Sequence, residues 1–584
     1  GKSKTEVRKM RDFSLVTNYA ITEMMMSGRV IYGDPLSNYI NKIADVVLKD
    51  NPELRSKLRF YIIKSTVANA YSTNQGIIFF TSGLIAQVEN EAELAFIICH
   101  EIVHYTEKHN FEDFKKRDAI LKRAGRKSTL SLEEKLKALY KYSRTNELAA
   151  DEKGLELFLK TDYNPFATLS TFDVLLYSYL PYDIQEWNPS SLESAHYKFP
   201  DGYKKHKITE ISADEDEDDA NQTHPNIGAR KTAIAELLDK FSADSSNKKL
   251  YIVSKEEFNN IQKIARYELA SLYIKVGNPL KAYYIAYLLD ITYGANKYTD
   301  KIKAFSIYSL AHHYSNGHDL DDYGCKESEY EGDVQVLPKF INKFSKKDLA
   351  VLGAKYLYEM HQKYPDDAQL KRMCDQAFVD MFAKGKLNKS GFISYKPAEP
   401  ADTIAKPGTS KVDKLKNKQK SNTSIPKYYY GAFYELLKDK DFKVYFYDIS
   451  KQLNISDTSD EDDENTSNYS KSASGKKKEK QVKNNEEISM VMFQPEYSAS
   501  TNEKRNLFED EYKRNAIGEY YEKQNFTDKV KIKLLNKPGS DEFNTTTFNQ
   551  FALLNEWLME RTNNDTLSME LYQISFIKKK KKEY

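Results

Sequence analysis

The stretch Glu91-Ala92-Glu93-Leu94-Ala95-Phe96-Ile97-Ile98-Cys99-His100-Glu101-Ile102-Val103-His104 decides how the first part of this chain is read. Apolar residues dominate the run into the two histidines, which is the pattern of a buried helix. On a helix His100 and His104 stand at i and i+4, one turn apart on one face, so both imidazoles reach one ion. Glu101 points aside from that pair and stays within a side chain's length of a water held there, the placement a general base needs. A catalytic zinc takes three protein ligands and keeps a fourth position open, so a third donor is expected downstream. Glu147, in Asn146-Glu147-Leu148-Ala149-Ala150-Asp151, is the best candidate, on a helix predicted to run to about Lys160. Asp151 lies one turn further along the same face, where it could accept an N–H from a ligand histidine and fix its tautomer. Without the two histidines, Glu147 and Asp151 would read as an acidic surface stripe.

The rest of the chain sets the context for this motif. With 584 residues there is room for three or four domains of about 150 residues. Lys and Arg number 88 against 86 Asp and Glu, a net charge of +2. Such a balance offers no global field to hold a phosphate backbone or an anionic membrane, which argues against a dedicated nucleic-acid binder. Apolar residues make up 40% of the chain and mean hydropathy is −0.69. Dense apolar stretches such as Leu94 to Cys99 fall far short of the roughly 18 residues needed to span a bilayer, so no transmembrane segment is expected and the chain reads as soluble. Cys99, Cys325 and Cys374 are too few for a disulfide framework and too far apart for a cysteine zinc site; they read as small core residues. The chain opens at Gly1 with no basic and then apolar leader, so any export signal has been removed or was never there.

Composition shifts along the chain predict a mixed α+β, multidomain protein. Residues 1–250 read as one compact catalytic-type domain, mainly helical with short β-rich runs, whose acidic stretch Asp214 to Asp219 is a solvated loop. Residues 251–390 read as a helical array. Its first pair runs from Ile264 to Tyr273, turns at Gly277-Asn278-Pro279 and returns from Ala282 to Leu289; later helices are expected over Thr299 to Tyr314, Lys347 to Lys363 and Ala368 to Ala383. Ala270, Ala282, Ala286 and Ala311, interleaved with Tyr and Leu, allow close helix packing, and the arrangement resembles tetratricopeptide-type repeats without a strict 34-residue period. Residues 391–426, rich in Pro, Lys, Ser and Thr, read as a linker. Residues 427–584 read as a C-terminal α+β domain, with strands over Phe442 to Ile449, Glu487 to Phe493 and Val530 to Leu535 and helices over Thr501 to Gln524 and Thr547 to Arg561. Within it, Asp457 to Glu464 and Lys476 to Lys480 form a charged insertion, and Lys578 to Lys582 a basic tail.

Taken together, the motifs of the first domain resemble the zinc metallopeptidases that include HtpX and the CAAX prenyl proteases, of gluzincin type. Four elements match in order: Asn69-Ala70 before the β-run Gly76 to Leu84; Glu93-Leu94 leading into His100-Glu101-Ile102-Val103-His104; Glu147-Leu148-Ala149-Ala150-Asp151; and His224-Pro225 followed by Arg230. The resemblance covers about residues 35 to 240. It implies His100, His104 and Glu147 as ligands of one zinc per chain, Glu101 as catalytic base and Asp151 behind a ligand. It also implies that Gly76, Ile77, Ile78, Phe79 and Phe80 belong to an edge strand that an extended peptide would pair with; the alternation-free apolar run equally permits an interior strand. His224 and Arg230 occupy the position near the substrate carbonyl, where they could stabilise an oxyanion. His224 could instead cap the zinc, and both could merely tie down a loop. His109, five residues past His104, is placed roughly on the opposite helix face, and His312-His313 has no carboxylate at ligand spacing.

Membrane-embedded relatives carry transmembrane helices that are not seen here, so the chain looks like the soluble, exported BepA-like branch, with a helical-repeat domain after the protease domain. The function this implies is zinc-dependent endopeptidase activity on polypeptide substrates in bacterial cell-envelope quality control, in the periplasm or anchored through a removed N-terminal segment. A latent or silent site on a client-binding protein is the alternative, with His224 or the charged stretch Lys115 to Lys127 as occluding elements.

Overall fold

In a computed structural model of the chain, the described residues are 4–110, 143–212, 226–397 and 427–453, together with four short strands beyond residue 489. They fall into two units, Gly1–Asp463 and Glu464–Tyr584. The first unit opens with helix α1 (Lys4–Met26), then strand β1 (Val30–Ile31), α2 (Pro35–Val47), α3 (Pro52–Lys57), β2 (Arg59–Ile63), β3 (Ala70–Ser72), β4 (Ile77–Thr81), α4 (Ser82–Gln87) and α5 (Glu91–Thr106). After these come α6 (Arg144–Phe158), α7 (Ala167–Leu176), α8 (Ile227–Lys240), α9 (Lys255–Lys275), α10 (Pro279–Tyr293), α11 (Lys297–Ser315), α12 (Lys346–Lys363), α13 (Ala368–Val379) and α14 (Lys440–Gln452). None of the described helices is long and apolar enough to cross a membrane.

The four strands of this unit form one mixed sheet in the order β1-β2-β4-β3. β2 and β4 run parallel, with Phe60 opposite Ile78 and Ile62 opposite Phe80. β3 returns antiparallel to β4, with Tyr71 opposite Phe79. The tight turn between them needs Gly76, at φ +77°, because a Cβ there would come within 2.4 Å of the Lys57 carbonyl oxygen. β4 therefore has a neighbour on each side, and the expectation that Gly76, Ile77, Ile78, Phe79 and Phe80 form an edge strand is corrected: among the described residues the outer strand on this side is β3. Both faces of the sheet are covered. Phe60, Ile62, Ile78 and Phe80 enter the main core, while Ile63, Tyr71 and Phe79 pack with Ala20 and Met24 of α1. Burial on both faces explains a run without alternation.

α9 to α13 follow one another as packed helices, and Ala270, Ala282, Ala286 and Ala311 are all buried among them. The turn between α9 and α10 is as read: Gly277 has φ +77°, and Asn278 caps α10 with Pro279 in its first turn. The boundary expected near residue 250 is no break in the core, which runs continuously from Leu36 to Ile449. Gln262 Nε2 donates to the Val88 carbonyl at 2.6 Å and Arg266 Nε to the Ala86 carbonyl at 3.1 Å, fixing α9 to the end of α4 and the residue that follows it.

Three further expectations change. Phe442 to Ile449, read as a strand, lies in helix α14, because Phe442, Phe446 and Ile449 are buried at helical spacing while Val444 is 54% exposed. This helix belongs to the first unit, as does the short helix Lys389–Ser394, which buries Phe392 where the linker was expected to begin. In the second unit the described strands are β5 (Met490–Phe493), β6 (Ser498–Thr501), β7 (Lys504–Leu507) and β8 (Ile532–Leu535). β5 pairs parallel with β8 and β6 antiparallel with β7. Strand pairing thus overrides the helix predicted from Thr501 onward, a tertiary effect that local propensity does not report. The rest of that helix, the one over Thr547 to Arg561, the charged insertion and the basic tail lie outside the described residues. So do Asp214 to Asp219, Lys115 to Lys127 and most of the linker.

Candidate metal centre

Helix α5 is buried along Glu91 to His104. Its start is fixed by two acids whose neighbours explain their burial. Glu91 accepts hydrogen bonds from the hydroxyls of Tyr39 and Tyr163 and from the backbone N–H groups of Ile252, Val253 and Ser254 at 2.8, 2.8 and 3.2 Å. Glu93 accepts from Glu89 N at 2.7 Å, Asn90 Nδ2 at 2.9 Å and the Ser170 hydroxyl at 2.6 Å. Burial nevertheless pushes the Glu93 carboxyl up to about 7.

At the other end of the buried run the Nε2 atoms of His100 and His104 lie 3.0 Å apart. Helix α6 crosses α5 with Glu147, Asp151 and Gly154 on its buried face. Gly154 permits the approach, because a Cβ there would stand 3.2 Å from both the Cα and the N of His100. Glu147 Oε1 is 3.2 Å from His104 Nε2 and its Oε2 is 3.7 Å from His100 Nε2. His100, His104 and Glu147 are the group able to hold a metal among the described residues. Ligands about 2.0–2.1 Å from a tetrahedral zinc stand roughly 3.3 Å from one another, so the donor set fits such an ion. Two imidazoles and a carboxylate are also a donor set that zinc accepts in catalytic sites.

Two of these candidate ligands have a support behind them. His100 Nδ1 is 2.9 Å from Asp151 Oδ1, so Nδ1 carries the proton and Nε2 turns to the donor set. Asp151 is gripped by Arg230 of α8, with Nε at 2.6 Å from Oδ2 and Nη2 at 2.7 Å from Oδ1. The third guanidinium nitrogen, Nη1, is 2.6 Å from Glu147 Oε2. Burial alone would raise the Asp151 carboxyl, but the charge and hydrogen bonds of Arg230, with those of His100, hold it below the usual carboxylate range. Arg230 is 3% exposed and its three nitrogens are engaged by two acids. That geometry joins Glu147 to Asp151, and Arg230 also lines the pocket beside His100 and Glu101. His224 lies outside the described residues.

Glu101, 1% exposed, follows His100 on the same helix. Beside the two residues opens a pocket lined by Leu84, Phe96, Ile97, Phe172 and Leu175, together with Asn69 and with Ala70 of β3. The sequence reading missed one neighbour. His109 is buried against His104, Nδ1 to Nδ1 at 2.9 Å, instead of on the far face.

Comparison with known proteins agrees with this geometry. Residues 37–238 match peptidase family M48. The beta-barrel assembly-enhancing protease of Yersinia pestis is 29% identical over 92 residues, 16% of this chain and 19% of the relative. The putative beta-barrel assembly-enhancing protease of Vibrio cholerae serotype O1 is 24% identical over 187 residues, 29% and 39% of the two chains. The Escherichia coli K12 protein named beta-barrel assembly-enhancing protease is 22% identical over 178 residues, 27% and 36%. The chain thus spans less than half the length of the curated relatives it matches.

Proposed function

We propose that the peptidase family M48 domain at residues 37–238 makes this chain a zinc-dependent endopeptidase that hydrolyses peptide bonds of protein substrates. The observation that carries this reading is the buried donor set His100, His104 and Glu147 with Glu101 beside it. When bound, zinc supplies Lewis acidity toward a water and toward the peptide carbonyl. Glu101 takes a proton from the attacking water and passes it to the leaving amine. Asp151 keeps His100 in the tautomer that turns Nε2 to the donor set, and Arg230 holds Asp151 and Glu147 together. Substrate lies extended beside β3, whose Ala70 lines the pocket next to His100 and Glu101. The pocket walled by Leu84, Phe96, Ile97 and Phe172 takes a neighbouring side chain.

The names of the matching relatives support a place in bacterial cell-envelope protein quality control; in this reading the tetratricopeptide-like helices α9 to α13 hold client proteins. The test is degradation of an unfolded protein by the full chain, stripped with chelator and then reloaded with zinc. Cleavage that disappears and returns with the metal is expected; cleavage indifferent to chelator overturns the reading.

A further inference from the structure

On an α-helix that simply continued, a residue five places on would be rotated by about 140° and could not meet the first. The chain does not continue. Helix α5 ends at Thr106, and Lys108 adopts a left-handed conformation at φ +57°, reversing the backbone. His109 is thereby carried back to His104, with Nδ1 atoms 2.9 Å apart and ring centroids 5.0 Å apart at an interplanar angle of 77°. His109 is 6% exposed. The next residue locks the turn: Asn110, fully buried, donates from Nδ2 to the Ser72 carbonyl of β3 at 2.8 Å.

The proton between the two imidazoles has a determined place. His104 Nε2 faces His100 Nε2 and Glu147 Oε1, so its lone pair must lie there if the donor set is to hold a cation, and the His104 proton must lie on Nδ1. That N–H then donates to His109 Nδ1, which accepts in its neutral form with its own proton on Nε2. His100 does the same toward a carboxylate, Asp151. The two ligand histidines are thus oriented by different chemistry, one by an anion and one by a neutral imidazole.

Resting on the reading of His100, His104 and Glu147 as a metal centre, we propose that His109 is a positioning residue that fixes the tautomer and ring orientation of His104. The turn that presents it also ties helix α5 to strand β3 through Asn110 and Ser72.

The test uses four full-length variants, H109N, H109Q, H109A and H109L. An asparagine places its amide oxygen where Nδ1 stands, whereas a glutamine reaches the Nε2 position and leucine only fills volume. Zinc affinity, measured by competition with a chromophoric chelator, should fall about 10- to 100-fold in H109A, H109L and H109Q and stay within about threefold of wild type in H109N. The visible absorption of cobalt-loaded protein should match wild type in H109N and change in H109L. Equal zinc affinity and equal cobalt spectra in H109N and H109L would reduce His109 to packing and overturn the proposal, as would unchanged values in H109A. Absence of zinc and cobalt uptake by the wild-type chain would instead remove the metal centre itself.

Discussion

Arg230→Met removes one buried cation from between two buried acids, and its cost follows from the contacts. The guanidinium lies 2.6–2.7 Å from Asp151 and 2.6 Å from Glu147, and all three residues are at most 3% exposed. Opposite charges about 4 Å apart at an effective dielectric near 20 attract by about 4 kcal/mol. Breaking such a pair from one side strands the other charge, which typically costs about 3–5 kcal/mol. Metal-free Arg230→Met should therefore lose about that much stability, and Asp151→Asn less, because Glu147 still faces the arginine. The double variant should lose less than the sum, with a coupling of about 2 kcal/mol or more. Urea unfolding in chelator, followed by far-UV circular dichroism and by fluorescence of Trp187, which is 2% exposed, measures all four corners of the cycle. A coupling under about 0.5 kcal/mol would refute the account of Arg230 as the clamp on Asp151 and Glu147.

Further outcomes follow from the same contacts. Gly154→Ala, whose Cβ would meet His100 backbone at 3.2 Å, should cost about 1–3 kcal/mol and weaken zinc binding, since α6 carries Glu147 and Asp151; unchanged stability and zinc affinity would contradict the close helix approach. The raised Glu93 carboxyl means the folded state binds a proton more readily than the unfolded chain, so its contribution to stability falls as pH rises from about 4.5 to about 7. Glu93→Gln should therefore gain stability relative to wild type between pH 5 and pH 8 in parallel unfolding curves, and a difference independent of pH would refute this. A fragment ending at Ser242 lacks the Ile252, Val253 and Ser254 N–H groups that satisfy buried Glu91 and lacks the α9 residues packed beside it. It should fail to unfold cooperatively, and a fragment that unfolds cooperatively with zinc bound would show that the first 242 residues are independent.

Helix α5 was legible because its pattern is local: His100 and His104 are brought together by helical spacing alone, and Glu147 with Asp151 repeats that spacing on α6. The orientation of β4 was not legible, because Ile77 to Phe80 is apolar throughout and its neighbours are set by β2 and β3, with α1 covering the far face. Helix α14 was misread since Phe442, Val444 and Phe446 alternate as a strand would, and only the exposure of Val444 exposes the helical period. His109 depended on one residue: nothing about a lysine at position 108 announces a left-handed turn, yet that turn moves His109 from one side of the helix to the other. Arg230 was recognised as part of the site, but its engagement with Asp151 and Glu147 depends on how α8 meets α6.

The most direct test of the central claim compares wild type with Glu101→Gln, measuring zinc content and cleavage of an unstructured peptide on the same samples. Glutamine keeps the shape of Glu101 and removes the base while leaving His100, His104 and Glu147 in place. Both proteins should hold one zinc per chain, and only wild type should cleave. Cleavage by Glu101→Gln at the wild-type rate, or a zinc-loaded wild type that cleaves nothing, would contradict the account.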